Sequence, residues 1–312
     1  MILNENRIIE KNAVEQKVIL PGIDREIFIK RLDLIHPEIS GNKWFKLKYN
    51  LKNAEENDYK TLLTFGGAYS NHIHATAAAG RLFGFKTIGV IRGEEHLPLN
   101  PTLSSASKNG MELFYLRRSI YRKKTEKIFL DYLKNVFGEI YIIPEGGTNK
   151  LAVKGTVEII EGLENDYEYI CAPVGTGGTS AGIIAGLSGR KNFLGFSVLK
   201  GGGFLLKVIE DLILSFNGKT YNNWSLNLDY HCGGYAKINY ALIDFIREFE
   251  NLNGIKLDPI YTGKMLFGIT GLIKKGKLGS DKILALHTGG LQGIEGMKPK
   301  ISKLINKHNS GD

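Results

Sequence analysis

Short apolar runs alternate with segments of helical period along most of this chain. TLLTF (61–65) is followed by HIHATAAAGRLFG, an Ala-rich helical stretch ending at Gly84. KTIGVIR (86–92) reads as a strand, NPTLSSASKNG (100–110) as a helix stopped by Gly110, and MELFYL (111–116) as the next strand. A charged helix covers about 119–136, and EIYIIP (139–144) is again strand-like. Strands joined by helices in this order predict a parallel sheet with helices on both faces.

The pattern restarts after the Gly146-Gly147 turn. NKLAVKGTVEIIEGL (149–163) is helical, YEYICAPV (167–174) a strand, TSAGIIAGLSG (179–189) a helix and FLGFSVLK (193–200) a strand. Helices around 204–215 and 237–252, an irregular segment, a helix over 262–276 and a final strand and turn at 282–290 complete the series. No Pro/Ser linker separates the halves and no solenoid repeat is present. The expected fold is α/β, with two three-layer domains built on mostly parallel sheets. Residues 46–154 form a smaller α/β domain inserted into a larger one made of 1–45 and 155–312. The strand region 16–36 then joins the second sheet.

Composition narrows the class. The chain has 312 residues, 43% of them hydrophobic, enough for one large or two medium cores. Its 38 glycines cluster at turns such as 66–67, 146–147, 175–178 and 289–290, where backbone can approach a ligand. The start, MILNENRIIEKN, has no apolar signal core, and no run of 18 or more apolar residues occurs, so a soluble cytoplasmic protein is expected. The net charge is +9. Its basic runs (Arg117-Arg118, Arg122 to Lys124, Lys274-Lys275, Lys298 to Lys303) lack interleaved aromatics, so they read as solvated helix faces and not as a nucleic-acid platform. A basic balance also suits a small anionic ligand. Cys171 and Cys232 make no CxxC pair, and His72 and His74 are two apart and do not share a helix face, so no metal is expected.

Four segments carry candidate chemistry. In SGNKWFKLK (40–48), Lys43 leaves a tight turn, where a fixed, partly desolvated amine can form a Schiff base with a carbonyl. In VGTGGTSAG (174–182), Gly175, Thr176, Gly177, Gly178 and Thr179 offer amides and hydroxyls at a helix start, an anion cradle. The loop lacks the lysine of a Walker motif, and Ser180 stands where a dinucleotide fingerprint needs glycine. In GGAYSNHIHATA (66–77), Ser70 and Asn71 fall at a helix start, as caps or as a second anion site suited to a substrate carboxylate. In LALHTGGLQG (284–293), Thr288 lies where a strand meets a cleft. Tyr235 and Tyr261 sit beside glycine or proline turns, and local sequence alone favours packing roles for them.

A Schiff-base lysine, a phosphate cradle, an asparagine and a strand-end threonine together fit pyridoxal 5'-phosphate. Asn71 reaches the ring hydroxyl, and Thr288 meets the ring nitrogen. A neutral hydroxyl there leaves that nitrogen unprotonated, which favours elimination over transamination. SGNK (40–43), SNH (70–72), PEGG (144–147), GTGGTSAG (175–182), DPIYTGK (258–264) and HTGG (287–290) occur in an order that resembles the fold type II pyridoxal-phosphate enzymes. That fold is tryptophan synthase beta-like, and within it the D-cysteine desulfhydrase and 1-aminocyclopropane-1-carboxylate deaminase family is most similar. The resemblance implies Lys43 as the cofactor lysine, Ser70 as a catalytic and carboxylate-binding residue, Asn71 and His72 beside the substrate, and Gly175 to Thr179 as the phosphate loop. It places Tyr235 and Tyr261 in the substrate pocket as catalytic candidates, against the packing preference. It also implies a small amino-acid substrate and a homodimer. Deaminases of the family look like YEGK and HLGG where desulfhydrases look like Y-[ST]-GK and HTGG. Thr262 and Thr288 put this chain on the desulfhydrase side, although Tyr69 stands where desulfhydrases usually carry Gln. The expected reaction is α,β-elimination from D-cysteine. Ring-opening deamination and a cofactor-binding protein without turnover are the alternatives.

Overall fold

The computed structural model describes residues 8, 10–280 and 282–310, with the exception of the Asn309 side chain. Residues 1–7 and 9, part of the segment read for a signal sequence and of the expected large domain, lie outside the described residues.

Apolar runs covered on both faces build the first sheet. β3 (Thr61–Gly67), β4 (Lys86–Arg92), β5 (Met111–Leu116) and β6 (Ile140–Ile143) pair in the order β5-β4-β3-β6, all parallel. The interiors of β3 and β4 are buried without alternation, as strands shielded on both sides require. The connections run through α2 (Asn71–Phe83), α3 (Pro101–Lys108), α4 (Arg118–Tyr121) and α5 (Lys127–Phe137). The single helix expected over 119–136 is thus two. Tyr121 is buried edge-on against Phe65 and its hydroxyl reaches Glu145, anchoring the first turn apart from the amphipathic helix that follows.

The second sheet has the order β1-β2-β10-β7-β8-β9. β1 (Glu15–Ile19) and β2 (Glu26–Lys30) are antiparallel, and β2, β10 (Ile283–Leu286), β7 (Tyr169–Val174), β8 (Asn192–Ser197) and β9 (Trp224–Asn227) run parallel. The N-terminal strands therefore join the C-terminal sheet, as their sequence position predicts. β9 lies in the region between two expected helices and carries no apolar run. It is a short, half-buried edge strand. Around this sheet lie α1 (Asn42–Glu56), α6 (Lys150–Val157), α7 (Gly178–Leu187), α8 (Leu205–Asn217), α9 (Tyr240–Asn253) and α10 (Thr262–Lys274). α6 stops at Val157 in a 3-10 turn instead of continuing to 163. The basic run Lys298 to Lys303 lies on a helix, α11 (Gly293–Asn309), which contains Pro299 and so breaks the pattern expected of one. No helix among the described residues is long and apolar enough to cross a membrane.

One apolar cluster joins the two sheets. It takes Leu62 and Ile143 from the first, Ile170 and Leu284 from the second, and Leu47 and Leu51 of α1 between them. α1 and α6 meet backbone to backbone here. A Cβ on Gly155 would lie 1.8 Å from the Phe45 carbonyl oxygen.

Gly155→Ala is therefore expected to destabilise the protein by about 1–3 kcal/mol through overpacking. Gly279→Ala, where an added Cβ meets nothing within 4 Å, serves as the control. Urea midpoints check this: the first variant should unfold earlier and the second should match the parent.

Candidate active site

Lys43 opens α1 because Gly41 turns the chain at φ 67°. No other residue fits there, since a Cβ on Gly41 would lie 1.9 Å from the Thr288 carbonyl oxygen. The turn is held by Gly41 N donating to Leu32 O at 2.9 Å and Asn42 N to Thr288 O at 3.4 Å. Lys43 Nζ donates to Asn42 Oδ1 at 2.9 Å, and Asn42 Nδ2 donates to Thr179 Oγ1 at 2.7 Å. The lysine is thereby tied to the glycine loop and the strand-end threonine at once. Burial lowers its pKa from 10.5 to about 8, with the Asp258 carboxylate partly opposing the shift.

The glycine loop ends β7 and starts α7, with Gly177 left-handed at the helix start. A second lysine of α1 faces it. Lys46 is 2% exposed, and its Nζ donates to Thr148 Oγ1 at 2.9 Å and Thr176 Oγ1 at 3.4 Å. A Cβ on Gly178 would lie 3.2 Å from that Nζ. Among the described residues no carboxylate pairs with it, and burial, with Lys43 adding repulsion, pushes its pKa well down. A buried ammonium beside the amino end of a helix is a site for an anion. Sequence reasoning passed over Lys46. Its signal was a lysine one turn after Lys43 on the same helical face.

Three further elements close on the same place. β10 is followed by His287, whose Nε2 donates to Lys256 O at 2.8 Å while Nδ1 accepts from Gly289 N at 3.3 Å. This fixes the turn that carries Thr288. Asn71 Oδ1 accepts from Gln292 Nε2 at 2.9 Å, and a Cβ on Gly290 would lie 2.7 Å from Asn71 Nδ2. Asn71 and the Thr288 turn are therefore adjacent. Ser70 is the cap of α2, its Oγ accepting from Ile73 N at 3.2 Å, and its hydroxyl proton remains to be donated. His72 lies under the cleft and not in it. It is 2% exposed, and its Nε2 is 2.8 Å from Thr64 Oγ1. The Thr64 proton goes to Ile143 O at 2.8 Å, so Nε2 is the donor and Nδ1 is a bare acceptor walled in by Gly147. Burial keeps the ring neutral.

Tyr261 packs against the glycine loop, with Cε1 3.2 Å from where a Cβ on Gly175 would lie. Its ring meets that of Tyr235 edge-on at 6.1 Å. Burial raises both pKa values, so neither is a base near neutral pH. Asp258 accepts from the amides of Ile260, Tyr261 and Thr262 at 3.0, 2.7 and 2.9 Å and so caps α10. The Thr262 hydroxyl is buried without a partner. Lys264, also missed in the sequence, is 1% exposed and donates to Gly234 O at 2.8 Å, holding the loop that bears Tyr235.

Pyridoxal phosphate fits these residues. The unpaired Lys46 ammonium and the amides from Gly177 to Thr179 would hold its phosphate, Lys43 its aldehyde carbon, Asn71 the ring hydroxyl and Thr288 the ring nitrogen. The family model described as pyridoxal-phosphate dependent enzyme matches residues 14–289. A Pyrococcus horikoshii protein provisionally named 1-aminocyclopropane-1-carboxylate deaminase is 33% identical over 92% of both chains. The mitochondrial bifunctional D-cysteine desulfhydrase/1-aminocyclopropane-1-carboxylate deaminase of Arabidopsis thaliana is 28% identical over 92% of this chain and 78% of its own. A crystal structure of an ACC deaminase homologue superposes with a TM-score of 0.82 at 31% identity, over 94% of this chain and 93% of that one. A hydrogen sulfide-producing enzyme of Fusobacterium nucleatum shares the fold, with a TM-score of 0.65 at 17% identity.

Two outcomes are expected from the lysines. In cofactor-free protein, an amine-directed reagent followed by peptide mapping should label Lys43 with a midpoint near pH 8, because its uncharged fraction rises with pH through about 8 and not through 10.5. Lys46→Met should weaken pyridoxal phosphate binding by about tenfold or more, the worth of a charge-assisted contact. It should not lower the melting temperature of the cofactor-free protein, since burial disfavours the charge of Lys46 and no ion pair is lost with it.

Proposed function

The chain belongs to the pyridoxal-phosphate dependent enzymes, and from that premise we propose that it performs α,β-elimination on a small amino acid, D-cysteine first, giving pyruvate, ammonia and hydrogen sulfide. Held in this site, the cofactor would supply an electron-withdrawing ring that lets a proton leave Cα once the substrate amine has taken the place of Lys43. The observation that carries the reading is the Thr262/Thr288 pair. Thr288 offers the ring nitrogen a neutral hydroxyl, and Thr262 puts an unpartnered, buried hydroxyl where a deaminase of the family would carry a carboxylate.

The remaining roles follow from the residues' own chemistry. Ser70 keeps a hydroxyl proton for the substrate carboxylate, next to the free amides at the start of α2. Lys43, with its pKa near 8, is the proton acceptor from Cα, because both tyrosines are held protonated. Tyr261 and Tyr235 then shape the pocket and orient the substrate with their hydroxyls. His72 supports β3 and β6 from below, so its role toward substrate is indirect. The proposal extends to the division into units of 1–45 with 155–312 and of 46–154, each holding one sheet, and to a homodimer acting in the cytoplasm.

Ring-opening of 1-aminocyclopropane-1-carboxylate to 2-oxobutyrate is the second reading, favoured by the names of the relatives. Purified enzyme given D-cysteine should release sulfide and pyruvate in equal amounts. Lys43→Ala should be colourless and slower by about a thousandfold, the scale of a lost general base. Absence of both products overturns the proposal, and 2-oxobutyrate formed faster than pyruvate selects the second reading. A Lys43→Ala protein that stays yellow and borohydride-reducible shows that another lysine holds the cofactor.

A further inference from the structure

Gln292 follows the turn that ends at Gly290 and stands just before α11. It has no part in the roles assigned above. Its Nε2 donates to Asn71 Oδ1 at 2.9 Å, across 221 positions of sequence. That bond decides which end of the Asn71 amide is left for the cofactor. An asparagine offers an acceptor at one end and two donor hydrogens at the other, in groups of nearly the same shape. With Oδ1 taken, Nδ2 is the free end. Among the described residues no protein group accepts from it.

Two neighbours of the amide favour the same orientation. Oδ1 lies 3.6 Å from where a Cβ on Gly293 would stand, beside the first residue of α11. The positive end of a helix dipole favours an oxygen there over an amide nitrogen that carries hydrogens. Nδ2 lies 2.7 Å from where a Cβ on Gly290 would stand, against the turn that carries Thr288. The donor end is therefore on the side where both the ring hydroxyl and the ring nitrogen have their assigned partners.

We propose that Gln292 is a positioning residue that locks the Asn71 amide with its donor toward the ring oxygen of the cofactor, and so holds that oxygen as an anion. This rests on the placement of the ring at Asn71 and Thr288 and deepens it. A phenol oxygen that accepts a hydrogen bond gives up its proton more readily. The proton then rests on the nitrogen that joins cofactor to amine, and the attached carbon becomes a better electron acceptor. The reversed amide presents an acceptor, which keeps the proton on the ring oxygen. Gln292 acts through Asn71 and takes part in no bond-breaking step of its own.

The readout is colour. Cofactor with an ionised ring oxygen absorbs in the visible, and with a protonated one in the near ultraviolet. Parent protein loaded with pyridoxal phosphate should be yellow at neutral pH. A carboxylate only accepts, so Gln292→Glu forces Asn71 to turn Nδ2 toward position 292 and Oδ1 toward the ring. Arg31 and Lys256 line the cavity beside Gln292 and keep that carboxylate ionised, while Asp33 of the same wall is paired with Arg31. The ratio of visible to near-ultraviolet absorbance, read per cofactor released in alkali, should fall by about tenfold or more, the worth of a hydrogen bond to a charged group. Gln292→Met, which neither donates nor accepts, should lie between, and Gln292→Lys, which only donates, should keep the parent ratio. Gln292 is half-buried, so these changes leave the core untouched. If the Glu and Met variants both keep the parent ratio, the proposal is overturned. A change confined to Gln292→Glu also overturns it, because a charge acting through space then accounts for the result, and so does a loaded parent that is colourless. Asn71→Leu separates this inference from the placement beneath it. It should move the ratio as Gln292→Glu does. If it moves the ratio and the Gln292 variants do not, only the role of Gln292 falls. If it does not, the ring is not at Asn71 and both fall.

Discussion

The architecture turns on positive charge that the chain buries without a matching carboxylate in contact. Lys43 and Lys46 lie one turn apart on α1, burial lowers the proton affinity of both, and the charge of Lys43 lowers that of Lys46 further. Isolated buried cations are costly, and a fold that keeps two side by side is organised to receive an anion. The glycine loop, the start of α7 and the hydroxyls of Thr148, Thr176 and Thr179 are the polar groups that make this tolerable. A phosphate supplies what they lack.

That constraint explains why glycine is concentrated where it is. Lys43 can reach its place only if the chain at 41 runs against the carbonyl of Thr288, which a side chain would prevent. The same closeness brings the two walls of the site, from opposite ends of the sequence, within one hydrogen bond of each other. The turns that carry the site are thereby held by backbone contacts, which have little freedom to adjust, while Asn42, Thr148, Thr176 and Gln292 hold the polar side chains themselves. On the proposed function, selectivity falls to Thr262, Tyr235 and Tyr261, whose surroundings are shaped by the capped start of α10 and the loop that Lys264 holds.

Much of this was legible in the sequence because it is written in local pattern. The continuous apolar runs of β3, β4 and β7 could only be strands covered on both faces, and the Gly-rich turns after them marked the ligand side of each sheet. What escaped notice had no local signature. β9 is defined by its neighbour β8 and not by its own residues. α11 carries a proline and a basic run that mask its period. Lys46 and Lys264 look like any lysine on a helix, and only burial distinguishes them. His72 shows the converse. Adjacency to Ser70 and Asn71 suggested a place in the cleft, but helical geometry turns it beneath the sheet edge, toward Thr64.

The place of β10 has a consequence for how the molecule comes into being. It lies between β2 and β7, so the last strand of the chain fills an interior row of the larger sheet. Until that row is occupied, β2 and β7 have no common partner, and the turn that receives Gly41 does not exist. Contacts spanning nearly the whole sequence are among the slowest to form, because the loop they close is long. During synthesis, the smaller sheet can assemble while the chain is still being made, whereas the larger one waits for residues near the end. The binding site is therefore complete only after β10 is in place between β2 and β7.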